Sequence, residues 1–403
     1  MNRVFALDLG TTKFCVGYLQ FDRKGHEFKV DTVSVVSQGM NRGMIADYYA
    51  AQKSLSTLLD LAEREFACNI DNVALGVSGT HLKSGFLNAQ LPIDSDRIVR
   101  PRTLEKIKEQ IRAEHLSEKR ELIHVAPCTF QIDDREWVSN PLGFSGTNLG
   151  GKFFVIEADR HYLSDLVRLC NSCGIKVTSL VSEQYASSMV TVDPPRKDLG
   201  IVLVDIGGGT SDGMIFMNGK PSRVFTINIG GNLMTKDLSI GLGVSFEEAE
   251  RIKVASGLSE SRMPLNWEVR NIQGQICQLD PLRTFEILKS RIMELSELIK
   301  KEIAPFGPLL QGGIILTGGG SEVLGISTVF QSVLKMPVEK IDPVFKCTSN
   351  LSSSSKLSSK YATVLGLLHQ EYTMKTQISS SMKAGPIGGS FLKLVNWVKE
   401  IYE

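Results

Sequence analysis

Residues 4–22 read VFALDLGTTKFCVGYLQFD, and residues 201–219 read IVLVDIGGGTSDGMIFMNG. In each, a short apolar run ends in Asp, and an apolar residue and Gly follow. A cluster of small hydroxyl or glycine residues comes next, then a second apolar run. Asp8 matches Asp205, and Gly10 matches Gly207, at one constant offset. Two strand-length runs joined by a small-residue turn predict a β-hairpin. Its recurrence predicts a degenerate internal duplication, one hairpin opening each half of the chain.

Outward from these hairpins the pattern alternates. Residues 47–66, 160–173 and 285–303 space apolar groups at helical period, and short β-rich runs lie at 71–77, 153–157, 175–181 and 313–316. This predicts two α/β domains facing each other, with both Asp–Gly hairpins at a central cleft. Residues 86–159 break the rhythm: a helix near 101–115 is followed by strand-like HVAPCTFQI and turn-rich NPLGFSGTNLGG, so an inserted subdomain is expected there. Residues 233–300 read as a second, mostly helical insertion. LSSSSKLSS (351–359) reads as a loop by composition, YATVLGLLHQ as a further helix, and 371–385 as a polar tail.

At 403 residues the chain is long enough for two or more domains, and 42% hydrophobic with 22% charged residues is an ordinary soluble balance. Forty-five basic against forty-four acidic residues leave a net charge of +1, which argues against nucleic acid as the main partner, since phosphate binding needs a concentrated positive field. Seven scattered cysteines fit a reducing compartment better than a disulfide framework. Cys170 and Cys173 form a lone CxxC. A zinc site needs a second pair and redox use needs thioredoxin-like surroundings, so free thiols are expected. No apolar run reaches transmembrane length, and MNRVFALDLG enters a strand at once, so no signal peptide is expected.

Binding ATP with Mg²⁺ needs backbone N–H groups that approach phosphate closely and carboxylates that hold the metal's waters. Gly10, Gly207, Gly208 and Gly209 allow the approach. Thr11, Thr12 and Thr210 offer hydroxyls and Lys13 a cation, while Asp8, Asp205 and Asp212 offer carboxylates to a hydrated Mg²⁺. IILTGGGSEVLG (314–325) adds strand, glycine turn and helix, laying Gly318, Gly319, Gly320 and Ser321 against a nucleotide near a helix N-terminus. Two rival motifs fail. GTNLGGKF (146–153) has Walker-like spacing but ends in Phe153 where a magnesium-binding hydroxyl belongs, and a strand-like run follows it. VDIGGGTSDG carries Asp212 where the third Rossmann glycine belongs.

The phosphate segments resemble those of actin, sugar kinases and heat-shock chaperone ATPases. Further stretches resemble FtsA, the actin-like bacterial division family: LPI (91–93), HVAPCTFQID (124–133), NPLGFSG (140–146), CGIKV (173–177), LGIVLVDIGGGTSD (199–212), AERIKVASG (249–257), GIILTGGGSEVLG (313–325) and YATVLGLL (361–368). The resemblance covers nearly the whole chain. It implies two actin-like, ribonuclease H-like halves around a nucleotide cleft: residues 1–85 with 160–196, and 197–232 with 301–370. It further implies an FtsA-type insertion at 86–159, a second at 233–300, a flexible linker at 371–386 and an amphipathic helix at 387–403. By resemblance, Glu250 and Lys253 contact adenosine, and Glu183 stands near the attacking water; without it, Glu250 and Lys253 read as an exposed helical pair. The family also implies filament formation, other division partners, and a tubulin-like FtsZ homologue whose C-terminal peptide docks on 233–300. It places the protein at the cytoplasmic membrane face of the division site, with slow or negligible ATPase at most. A small-molecule kinase, a chaperone ATPase and a type IV pilus adaptor of related fold are the alternatives. No segment announces a kinase substrate pocket, and too few residues follow 370 for a peptide-binding domain.

The last residues, FLKLVNWVKEIYE, wind Trp397, Ile401, Leu394, Val398, Phe391, Tyr402 and Val395 onto one arc of about 160° on a helical wheel. Lys393, Asn396, Lys399, Glu400 and Glu403 take the other side. A helix docked on the protein's own core gives such a stripe too, but the polar linker and interfacial aromatics favour a membrane lipid surface. Its lysines are nearly balanced by acids, so apolar burial dominates and a single copy binds weakly; filaments would raise binding by avidity of roughly 10²–10⁴. Trp397→Glu puts a charge on the apolar arc and is expected to release the protein from liposomes in sedimentation while leaving ATP binding intact. If the variant still pellets as wild type does, the helix is docked on the protein instead.

Overall fold

The computed structural model describes residues 2–22, 28–115, 117–258, 267–345 and 357–382. Strands Asn2–Leu9 and Lys13–Phe21 form the first hairpin, antiparallel from Asn2↔Phe21 to Leu9↔Phe14. Nearly every residue of both is buried, because helices cover the sheet on both faces. Phe28–Val36 continues the meander on one side, and Asn72–Val77 and Lys176–Ser182 add parallel strands on the other.

The second hairpin, Ile201–Ile206 with Ser211–Met217, repeats this plan. Lys220–Ile227 extends the meander, and Ile314–Thr317 and Val338–Lys340 add parallel strands. Both sheets are five-stranded, with the first strand of each hairpin in the middle. The duplication is thus topological. The third strand of each meander is weakly marked in the sequence, because in FKVDTVSVV the apolar alternation changes phase at Val33.

Between residues 83 and 159 a three-stranded antiparallel sheet (Lys83–Pro92, Asn148–Asp159, Arg120–Ile132) carries helix Pro101–Glu114. Phe153 points into this unit's own core with Leu91, Ile107, Ile111 and Phe130. Phe154 and Ile156 point the other way, into a cluster with Leu203, Met214, Phe216 and Ile315 of the second sheet. Adjacent strand residues face opposite sides, so one strand joins two cores. It also carries the Walker-like segment, placing Lys152 and Phe153 mid-strand, where no phosphate loop can form. Helices Gly231–Leu242, Phe246–Ser256 and Pro281–Ile303 share one continuous core with the second sheet.

One other expectation changes. Helix Ala362–Met382 runs well into the segment read as a polar linker from 371. Its polar residues find partners: Glu371 accepts from Ser179 Oγ at 2.6 Å, and Thr373 and Thr376 bond carbonyls of their own helix. Tyr372 is buried against the Phe21 ring, centroids 5.0 Å apart. The six described cysteines are free thiols, as expected; Cys347, part of the Ser-rich loop and residues 383–403, including the whole amphipathic segment, lie outside the described residues.

Helix Ala362–Met382 crosses helix Glu183–Thr191 at Gly366. A Cβ there would lie 1.9 Å from the Ala186 carbonyl oxygen, a backbone atom that cannot step aside. Gly366→Ala gains about 1 kcal/mol of helix propensity but incurs overpacking of about 1–3 kcal/mol or more. The expected outcome is net destabilisation, read as a lower denaturant midpoint at unchanged m; a variant as stable as wild type would contradict this crossing.

Candidate functional site

Asp8 and Asp205 are each the penultimate residue of the first strand of their hairpin, so equivalent ends of the two sheets present equivalent carboxylates. The turns that follow touch. A Cβ on Gly208 would lie 1.6 Å from Thr12 Oγ1, and one on Gly209 would lie 2.6 Å from Thr11 Oγ1. Glycine is required because the opposite half's turn fills the space. Thr12 donates to Asn232 Oδ1 at 3.3 Å, and Thr11 Oγ1 accepts the Gly43 N–H at 2.9 Å. The carbonyls of Gly207 and Gly208 accept the Gly231 and Asn232 N–H groups at the start of helix Gly231–Leu242, both at 2.9 Å. Gly10 is close-packed as well, 2.9 Å from the Lys13 carbonyl oxygen at a built Cβ.

Four carboxylates gather behind these turns. Asp205 Oδ2 accepts from Ser187 Oγ at 2.8 Å and Thr363 Oγ1 at 3.3 Å. Asp212 Oδ1 accepts from Thr226 at 2.6 Å and Gln184 Nε2 at 3.1 Å, and its Oδ2 accepts from Thr210 at 2.7 Å. Glu183 opens helix Glu183–Thr191 and lies over Gly76, where a built Cβ would stand 3.0 Å from Glu183 Cγ. Burial pushes Asp8 up to about 6 against the pull of Lys13, with Asp205 adding repulsion. Burial also lifts Asp212 to about 6 despite its hydroxyl donors, and it raises Asp205. Glu183 is raised as well, by burial and then by the charges of Asp8 and Asp212.

Such a cluster calls for a cation. Among the described residues no three His, Cys, Asp or Glu side chains stand close enough to coordinate a metal directly. A cation here would be reached through its waters, as suits Mg²⁺. Lys13 donates to the Lys360 carbonyl and sits 4.4 Å from the Tyr361 ring centroid.

The third glycine turn joins the same place. Gly318 has φ +81°, and a Cβ on it would fall 2.1 Å from Asp205 Oδ1. A four-residue 3₁₀ turn, Gly319–Glu322, follows, and the α-helix starts only at Ile326; the expected helix N-terminus is thus displaced from the glycines. The Ser321 hydroxyl is taken by the Gly318 carbonyl at 2.7 Å. Lys253 is buried rather than exposed, which overturns the plain helical-pair reading. Its Nζ donates to the Gly231 carbonyl at 3.2 Å, Thr235 Oγ1 at 2.9 Å and Glu250 Oε2 at 2.7 Å. Thr235 also donates to that Glu250 oxygen. The pair therefore stands beside the start of helix Gly231–Leu242, with Gly320 close by.

Sequence reasoning missed Gln184, Ser187, Thr226, Thr363 and Asn232. Glu183 and Ser187 share a helix face at i, i+4, and Ser182 caps that helix, so a signal existed for Ser187. Thr363 reaches Asp205 from 158 residues away, and no local pattern announces it.

A family model described as cell division protein FtsA matches residues 202–366, and one described as the SHS2 domain inserted in FtsA matches residues 79–157. The chain is similar to the cell division protein FtsA of Borreliella burgdorferi, 27% identical with 97% of this chain and 98% of that protein covered. It is 26% identical to the FtsA of Escherichia coli strain K12, with 98% and 97% covered. Among solved structures, the PilM–PilN type IV pilus biogenesis complex matches with TM-score 0.63 and 15% identity, covering 91% of this chain and 98% of that one. MreB5 of Spiroplasma citri bound to ADP matches with TM-score 0.56 and 15% identity, covering 94% and 98%. At those identities the structures speak to the fold, which is actin-like.

The raised carboxylates have a measurable consequence. Asp8, held near 6 against 3.8, binds more protons folded than unfolded between those values, so its contribution to stability falls as pH rises through them. His81 and His124, lowered to about 4 by burial, act in the opposite sense, so the whole-protein slope mixes both. A difference measurement isolates Asp8. In ligand-free protein, Asp8→Asn is expected to exceed wild type by about 1–3 kcal/mol at pH 7.5, with the gap narrowing below about pH 6 and closing only below the unfolded value of 3.8, in paired denaturant melts. A gap independent of pH would rule out an uncompensated Asp8.

Proposed function

Since family models for FtsA match residues 202–366 and 79–157, and FtsA proteins are similar over nearly the whole chain, we propose that it is an FtsA-type ATP- and Mg²⁺-binding, actin-like protein that assembles into filaments and tethers an FtsZ ring to the cytoplasmic face of the membrane at the division site. The observation that carries the nucleotide reading is the meeting of the two Asp–Gly hairpins, whose glycine turns close on one another beside Asp8 and Asp212, both raised by burial. The MreB5 match, a structure bound to ADP, supports the same reading.

In this reading Asp8, Asp205 and Asp212 hold the waters of Mg²⁺, whose charge relieves the repulsion among them and screens the phosphates. Backbone of Gly10, Gly207–Gly209 and Gly318–Gly320 lies against the phosphates, while Lys13 leaves the Lys360 carbonyl to meet them. Glu250 and Lys253 face the nucleoside from a hydrogen-bonded pair whose lysine is buried, so their orientation is set before binding. Glu183 is the side chain this reading places near an attacking water, with its pKa raised by burial and then by the charges of Asp8 and Asp212. Turnover in this reading is slow or negligible, and the nucleotide governs assembly.

Among the described residues no helix is long and apolar enough to cross a membrane. Attachment in this reading rests on residues 387–403, and FtsZ docking on residues 233–300. Electron microscopy with ATP on lipid, with and without residues 386–403, tests filament formation and tethering together.

Asp205→Ala removes a carboxylate of the cluster and leaves Ser187 and Thr363 without their acceptor. Titration calorimetry is expected to find Mg-ATP affinity weakened by more than about tenfold. Unchanged affinity in that variant would refute the site.

A further inference from the structure

Helix Glu183–Thr191 carries Glu183, Gln184 and Ser187 into the carboxylate cluster, yet its N-terminus is held by the inserted sheet. His124, on strand Arg120–Ile132, accepts the backbone N–H of Ser182 on Nε2 at 3.1 Å. Its ring lies 4.6 Å, centroid to centroid, from Tyr185. The buried Ser182 hydroxyl donates to Gln184 Oε1 at 2.6 Å, which fixes the amide so that Gln184 Nε2 donates to Asp212 Oδ1 at 3.1 Å. A flipped amide would put a carbonyl against that carboxylate.

The sheet is built to aim this histidine. The register of Arg120–Ile132 against Asn148–Asp159 shifts between Leu122 and His124. A bulge turns the next residue to the other face. Leu122 and Val125 accordingly belong to the insert's own core, while His124 faces Ser182. The same sheet is anchored on the other half of the molecule: Ser84 Oγ accepts the Val224 N–H at 3.0 Å, and Phe154 and Ile156 pack with Met214 and Phe216 on the strand that bears Asp212. The insert therefore touches both sides of the Gln184–Asp212 contact. Burial and the nearby Arg112 hold His124 down to about 4, so at neutral pH the ring is neutral; accepting the Ser182 N–H on Nε2 then leaves its single proton on Nδ1.

We propose that His124 is a positioning residue for the carboxylate cluster: by holding the Ser182 N–H it sets where Gln184 and Glu183 stand against Asp212, so the seat of the inserted sheet governs cation-dependent nucleotide binding across the two halves. This rests on the nucleotide reading given above. Residues behind a ligand set are known to matter at this scale, because a misplaced hydrogen-bond partner misorients the group that meets the ion.

The test compares full-length wild type with His124→Leu, His124→Gln and His124→Asn by titration calorimetry, using ATP with Mg²⁺ and ATP with EDTA, alongside thermal melts. Leucine removes the acceptor, glutamine keeps one at the reach of Nε2, and asparagine falls short of it. Mg-ATP affinity is expected to fall about tenfold for leucine and asparagine, to return for glutamine, and to leave binding in EDTA unchanged. If leucine fails to fold, the glutamine and asparagine pair decides the question. Equal affinities in all four proteins overturn the inference, as does a loss of the same size with and without Mg²⁺ that glutamine does not rescue. Wild type that binds no Mg-ATP overturns the nucleotide reading and this inference with it.

Discussion

Four carboxylates gather at the junction of two sheets, Asp8 and Asp212 buried and Glu183 and Asp205 half-buried. In a low-dielectric interior such a group is stable only where donors or cations answer each charge. The surroundings are arranged accordingly. Ser187, Thr363, Thr226, Thr210 and Gln184 all donate into the cluster. Even so, Asp8 and Asp212 stay raised to about 6. The donors and Lys13 therefore leave both groups above the ordinary carboxylate range.

Helix Glu183–Thr191 is where the rest of the molecule meets that cluster. One face delivers Glu183 and Ser187. Another receives helix Ala362–Met382 so closely that Gly366 has no room for a methyl. Its N-cap is gripped by the inserted sheet through His124. The donors to Asp205 and Asp212 thus come from both halves of the chain and from its last described helix, so shifting one element shifts hydrogen bonds to buried charge, for which no water stands ready as substitute.

The central cleft arrangement was legible because it is written locally and twice. Each hairpin needs apolar strands, a small-residue turn and a carboxylate at a fixed place, and the spacing survives the drift of the duplicated halves. The insertion at 86–159 showed as a break in alternation, although its first strand begins at Lys83. The third meander strands were overlooked because Phe28–Val36 and Lys220–Ile227 carry polar residues that dilute the apolar signal. Helix Ala362–Met382 was cut short because Glu371, Thr373 and Thr376 look like linker residues until a tertiary partner or their own helix takes up their polar groups.

The sequence by itself determined the two hairpins, their Asp and Gly positions, the actin-like class and the resemblance to FtsA proteins, since each rests on residues near one another in the chain. Tertiary structure alone decided that Lys253 is buried rather than one of an exposed pair, and that Thr363 serves Asp205. It also decided that Phe153 and Phe154 serve different cores and that His124 reaches Ser182. Those relations join residues far apart in sequence, and burial, with the hydrogen bonds it compels, exists only once distant segments exclude water from one another.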